Sequence, residues 1–123
     1  MDLNIVLLAG KLAAPPEVRR FESGTTLVRS LVTVRAESPR RRVDVVPVTL
    51  WDPGPEHGLL QAAVGDAIWV TGAVQRRFWT ADEGRKSRLE IVAAHVQLHD
   101  NGHPDFRSAT AGIFEGQAGP RVE

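Results

Sequence analysis

The chain has 123 residues, no cysteine, and fifteen Lys and Arg against fifteen Asp and Glu, so it carries no net charge at neutral pH. That length suits one domain with a short tail, and the missing cysteine excludes disulfides and thiolate metal sites. No apolar run approaches the roughly 20 residues of a membrane span, and the Met1-Asp2-Leu3-Asn4 start lacks the basic segment of a secretory signal, so a cytoplasmic protein that makes no membrane contact is expected. Zero net charge hides an uneven distribution: residues 17–42 hold seven Arg against three Glu, whereas residues 100–123 hold two Arg against four acids. Thirteen of the fifteen basic residues are Arg, the side chain whose planar fork grips phosphate and stacks on bases.

Residues 3–12 are apolar on both parities and predict a first strand buried in a barrel, with Gly10 where a bend or bulge would fall. Pro15-Pro16 and Ser23-Gly24 punctuate the connection to a second strand over 27–36, rich in β-branched residues. Ser38-Pro39-Arg40-Arg41-Arg42 reads as a hairpin tip, and 43–51 as a third strand in which Pro47 requires an edge or a bulge. Asp52-Pro53-Gly54-Pro55 breaks that strand. A short helix is predicted over 56–64, with Leu59, Leu60 and Ala63 on one side and Gly65 as its stop. Residues 67–77 and 88–98 predict two further strands joined by the polar segment 80–84.

The order is therefore β-β-β-α-β-β, the order of the OB-fold: an all-β, five-stranded, partly open barrel with one short helix between strands 3 and 4, a scaffold that commonly binds oligonucleotides. The predicted organisation is an OB-fold domain over 1–99 and a flexible, Gly-, Pro- and Ala-rich tail over 100–123.

On these residues the chain resembles the bacterial single-stranded DNA-binding protein family. Gly10-Lys11-Leu12 followed by Pro16-Glu17-Val18-Arg19 is similar to a family signature at the end of strand one. Leu50-Trp51 resembles the strand-three position of a base-stacking aromatic; Gly65 to Gly72 and Arg77-Phe78-Trp79-Thr80 resemble the fourth strand and its basic residue followed by a stacking Trp. Two family aromatics have no match, one of them falling on Val45, and the chain ends Arg121-Val122-Glu123 without a family-like acidic tip. The resemblance thus implies a divergent or accessory paralogue: a homo-oligomer, a tetramer or else a dimer, acting in DNA replication, recombination or repair.

Binding single strands without sequence preference needs aromatic faces for the bases and cations for the backbone, the stacking being worth about 1 to 3 kcal/mol per base. Trp51 and Trp79 are the stacking candidates, and Phe78, of opposite parity to Trp79, either joins them or packs inward. Arg19, Arg40, Arg41, Arg42, Arg76 and Arg77 are the candidate phosphate contacts. Trp69, inside an apolar strand, is expected in the core or a subunit interface.

His95, His99 and His103 recur every four residues, but their strand context does not suit a metal site. Ser23, Ser38, Asp44 and Asp82 offer no nucleophile with its base, so neither an enzyme nor a cofactor is expected. The competing reading is an OB-fold interaction module of a replication-restart (primosomal) complex, contacting replication or repair proteins and binding nucleic acid modestly.

Overall fold

Alternation of apolar and polar residues sets six strands in the computed structural model, which describes residues 1–99. They are β1 (Val6–Leu12), β2 (Glu17–Arg20), β3 (Thr26–Ala36), β4 (Arg42–Trp51), β5 (Ala67–Ala81) and β6 (Gly84–His99). The expected tail over 100–123, with His103, lies outside the described residues. The strands form one sheet in the order β1-β5-β6-β4-β3-β2, and a β1–β3 pairing closes it into a barrel. All neighbours run antiparallel except β4 and β6, which meet in parallel at Val48–Ile91 and Thr49–Val92.

Inward-facing residues of five strands fill the barrel: Leu12, Val28, Val32, Val48, Leu50, Ile68, Val70, Ile91 and Val96, with Leu59 closing one end. Closure depends on a close approach at Gly10. A Cβ there would run into the Thr33 carbonyl and lie 2.9 Å from Val32 Cγ1, so only glycine lets β1 cross β3 at Lys11–Thr33 and Leu12–Val32. The bulge itself falls elsewhere, at Thr71/Gly72. Pro47 sits opposite Leu31, one residue short of the contact with β6, where a strand tolerates a missing N–H.

Four expectations are corrected. Residues 56–64 do not form an α-helix; Gly58–Gln61 make one 3-10 turn, and Ala62 is already extended. With Pro53, Gly54 and Pro55 before it, Gly58 inside it and Leu59 its one buried residue, the segment has neither the propensity nor the apolar face of a longer helix.

The first strand is not buried on both faces: Leu3, Ile5 and Leu7 are exposed along its outer side. A strand unforeseen in the sequence, β2, pairs with β3 through Glu17–Arg29 and Arg19–Leu27. The fourth and fifth strands run well past the expected ends, because the ladder continues from Gln75–Glu90 out to Ala81–Gly84. The polar segment 80–84 shrinks to the two-residue turn Asp82-Glu83, with Gly84 at φ 113°, a conformation glycine adopts at no steric cost.

Candidate nucleic-acid interface

Strand parity and register together decide which side chains share the outer face of the barrel. On β4, Thr49 and Trp51 have the same parity, opposite to the buried Val48 and Leu50. The buried Thr49 hydroxyl donates to the Glu90 carboxylate on β6, which fixes that face across the parallel contact. Glu90, Arg88 and Lys86 then lie opposite Gln75, Arg77 and Trp79 of β5. Trp51 and Trp79 therefore occupy one continuous face, spanning β3, β4, β6 and β5.

At one end of this face Trp51 is about half exposed and stacks on Phe21, with ring centroids 6.3 Å apart and planes 23° apart. The Arg19 guanidinium lies over Phe21, 5.2 Å from its centroid. This row exists because the β2–β3 hairpin folds back beside β4: Phe21 N–H donates to the Thr25 carbonyl at 2.9 Å, and Gly24 takes φ 93°. Asp52 secures the other side. Its N–H donates to the Thr26 carbonyl at 2.8 Å and its carboxylate accepts the Thr26 N–H at 2.8 Å. An indole held on a second ring is an oriented platform with little ordering entropy left to lose.

At the other end Trp79 stands on the extended β5–β6 hairpin, 42% exposed, beside Lys86 and two residues from Arg77. Arg77 forms an ion pair with the buried Glu90 at 4.0 Å. Between the two ends a cleft is lined by Arg29, Leu31, Pro47, Thr49 and Arg88, walled by Pro15. Leu31, Val43 and Val45 add an exposed aliphatic strip to the same face.

The remaining predicted residues are dispersed. Phe78 has the opposite parity to Trp79, but it does not pack inward. The hairpin has left the barrel at that point, so Phe78 is exposed with Arg85 4.6 Å from its ring centroid. Arg76 shares that reverse face and donates to Ser87 Oγ at 3.1 Å. Arg40 and Arg41 lie in the exposed β3–β4 turn, where Arg41 reaches Glu37 at 3.6 Å.

Arg42 begins β4 with both arms of its fork on Asp44, at 3.1 and 3.0 Å. Hydrogen bonding to that carboxylate, with its charge, raises the guanidinium pKa further. Of the residues singled out in the sequence, Trp51, Trp79, Arg19 and Arg77 share one face in the structure, and Phe21, Arg29 and Arg88, which were not singled out, lie on the same face. The signal for Phe21 was its position three residues before Gly24 in a turn; nothing local marks Arg29 or Arg88, which converge only through the β4–β6 contact.

Trp69 is buried on the outer side of β5, edge-on to His99 at 6.4 Å between centroids. His57 caps the 3-10 turn, its Nδ1 accepting the Leu59 N–H at 3.0 Å. Burial holds the His57 pKa below its ordinary value; the positive charge of His95 pushes the same way, and a hydrogen bond to the Val96 backbone opposes both.

A closed five-stranded barrel with β4 and β6 parallel is an OB-fold, and here its outer face presents two separated indoles with arginines between them. The chain belongs to the single-strand binding protein family, whose sequence profile matches residues 3–99. Single-stranded DNA-binding protein 1 of Nostoc sp. (strain PCC 7120) is 28% identical over 115 residues, covering 86% of this chain and 96% of that protein. Single-stranded DNA-binding protein B of Bacillus subtilis (strain 168) is 28% identical over 102 residues, covering 79% and 90%. Among solved structures, the Plasmodium falciparum SSB complex with ssDNA superposes with a TM-score of 0.72 at 15% identity, covering 81% of this chain and 97% of that one, which shows the shared fold.

Proposed function

We propose that this protein binds single-stranded DNA without sequence preference and without catalysis, in the replication, recombination or repair of DNA. The observation that carries the reading is the common face of Trp51 and Trp79. Two indoles separated along one basic sheet surface suit bases that have left the duplex stack, because every base has a π-face. Arg19 and Arg77 on the same face supply backbone contacts that hold the strand without reading its sequence. No recognition helix exists among the described residues, so duplex major-groove reading has no support.

Self-association as a tetramer or dimer accords with the exposed Leu3, Ile5 and Leu7 beside β5, since such a stripe on a soluble domain is costly unless covered. Among the described residues no helix is long and apolar enough to cross a membrane. A place in the cytoplasm with the chromosome follows from the proposed ligand.

The test is intrinsic Trp fluorescence during titration with poly-dT and a matched duplex, at low and high salt. Trp51 and Trp79 should be quenched by the single strand, and the buried Trp69 should supply a residual unquenched signal. Trp79→Ala should lower affinity by about 1 to 3 kcal/mol, roughly 5- to 150-fold. No response to poly-dT in the wild-type protein would refute the reading.

A further inference from the structure

We infer that the cleft between Arg29 on β3 and Arg88 on β6 is a phosphate subsite, taking one backbone phosphodiester of the bound strand midway between Trp51 and Trp79. The inference deepens the single-strand reading above and rests on it. Its first support is a charge imbalance. Arg77 and Arg88 stand directly opposite each other in the β5–β6 ladder, an arrangement that is destabilising for like charges. The nearby carboxylate, Glu90, is committed to Arg77 and to the Thr49 hydroxyl. Arg88 is left exposed, without an ion pair or side-chain hydrogen bond among the described residues.

The second support is Arg29. Its side chain is half-buried and its Nε is shielded from solvent without a hydrogen-bond partner. A donor in that state is costly to leave unmade and is satisfied by an acceptor entering the cleft. Glu17, cross-strand from Arg29, also lines the cleft but is exposed and makes no ion pair with it within 4.0 Å.

The walls give the third. Pro15, Leu31 and Pro47 line the cleft together with the two arginines, and such low-dielectric walls strengthen the attraction between fixed cations and an entering anion. A phosphodiester fits this setting better than a base, since two converging arginines offer donors to oxygen and no aromatic ring lines the cleft.

The experiment measures the salt dependence of oligo-dT affinity for the full chain and for Arg88→Gln, Arg29→Gln and Arg85→Gln. The last removes the same charge from the reverse face of the hairpin. Circular dichroism melts confirm that each variant folds; Arg88, being exposed, leaves the core untouched. Arg88→Gln and Arg29→Gln should each flatten the slope of log affinity against log salt by up to about 0.7, the value for one phosphate neutralised on a single strand. Arg85→Gln should leave it unchanged.

If the wild type binds oligo-dT and the cleft variants keep its slope, or change it no more than Arg85→Gln does, the subsite is refuted while the function stands. If the wild type binds no oligo-dT, the single-strand reading falls and the subsite with it.

Discussion

Replacing Gly10 by Ala tests whether barrel closure rests on the close approach of β1 to β3. The added methyl meets the Thr33 carbonyl and lies 2.9 Å from Val32 Cγ1. Neither neighbour can yield cheaply, because Thr33 also belongs to the β3–β4 ladder opposite Val45. The strands must separate where they close the barrel. That endangers the Thr33 hydroxyl bond to the Lys11 carbonyl at 3.1 Å, the Ala13 N–H bond to the Leu31 carbonyl at 2.8 Å, and the short ladder between them.

Two to three such bonds at about 1 kcal/mol each outweigh the roughly 0.4 to 1 kcal/mol gained by restricting the unfolded chain. The net expectation is a loss of about 2 kcal/mol, which for a domain of this size lowers Tm by about 8 to 16 °C. Thermal melts followed by circular dichroism, with urea titrations to confirm the free energy, measure it. A Gly10→Ala protein melting within a degree or two of wild type would refute the claim that closure requires glycine.

His57 makes stability pH-dependent: its pKa is lower in the folded chain than the ordinary value near 6.5, so the unfolded state binds the proton more tightly. Stability is therefore full above that value and falls as pH drops toward the folded pKa. His57→Gln should remove this component of the acid slope, at a cost of about 1 kcal/mol at neutral pH from the weakened cap. Urea midpoints across the imidazole range, taken as wild type minus variant, check it; an identical slope in both proteins would place the effect elsewhere. Phe78→Ala should keep poly-dT affinity within about twofold, since base stacking worth 1 to 3 kcal/mol belongs to the opposite face with Trp79. The titration described above reads it, and losses equal to those of Trp79→Ala would overturn the assignment of faces.

Alternating side-chain direction and turn chemistry are local, so the residues of β3 and β4 and the break at Asp52 to Pro55 were legible in the sequence. Strand order was legible too, because one non-strand segment between the third and fourth long strands is itself a topological signature. Trp51 and Trp79 stood out in the sequence because each sits where a strand meets a loop. Parity alone, however, says that Trp79 and Phe78 oppose each other and cannot say which of them faces Trp51.

That choice is made by register across three strands and by the Thr49–Glu90 contact that ties β4 to β6. The same nonlocal geometry set Phe21 against Trp51, spent Arg42 on Asp44, and brought Arg29 and Arg88, 59 positions apart in the chain, to the walls of one cleft. The sequence by itself determined the strands of the barrel and marked two exposed indoles as stacking candidates, since each strand's pattern reports burial along that strand. Only the tertiary structure decided which arginines join them, because a pairing across strands depends on register, and register is a property of the closed sheet.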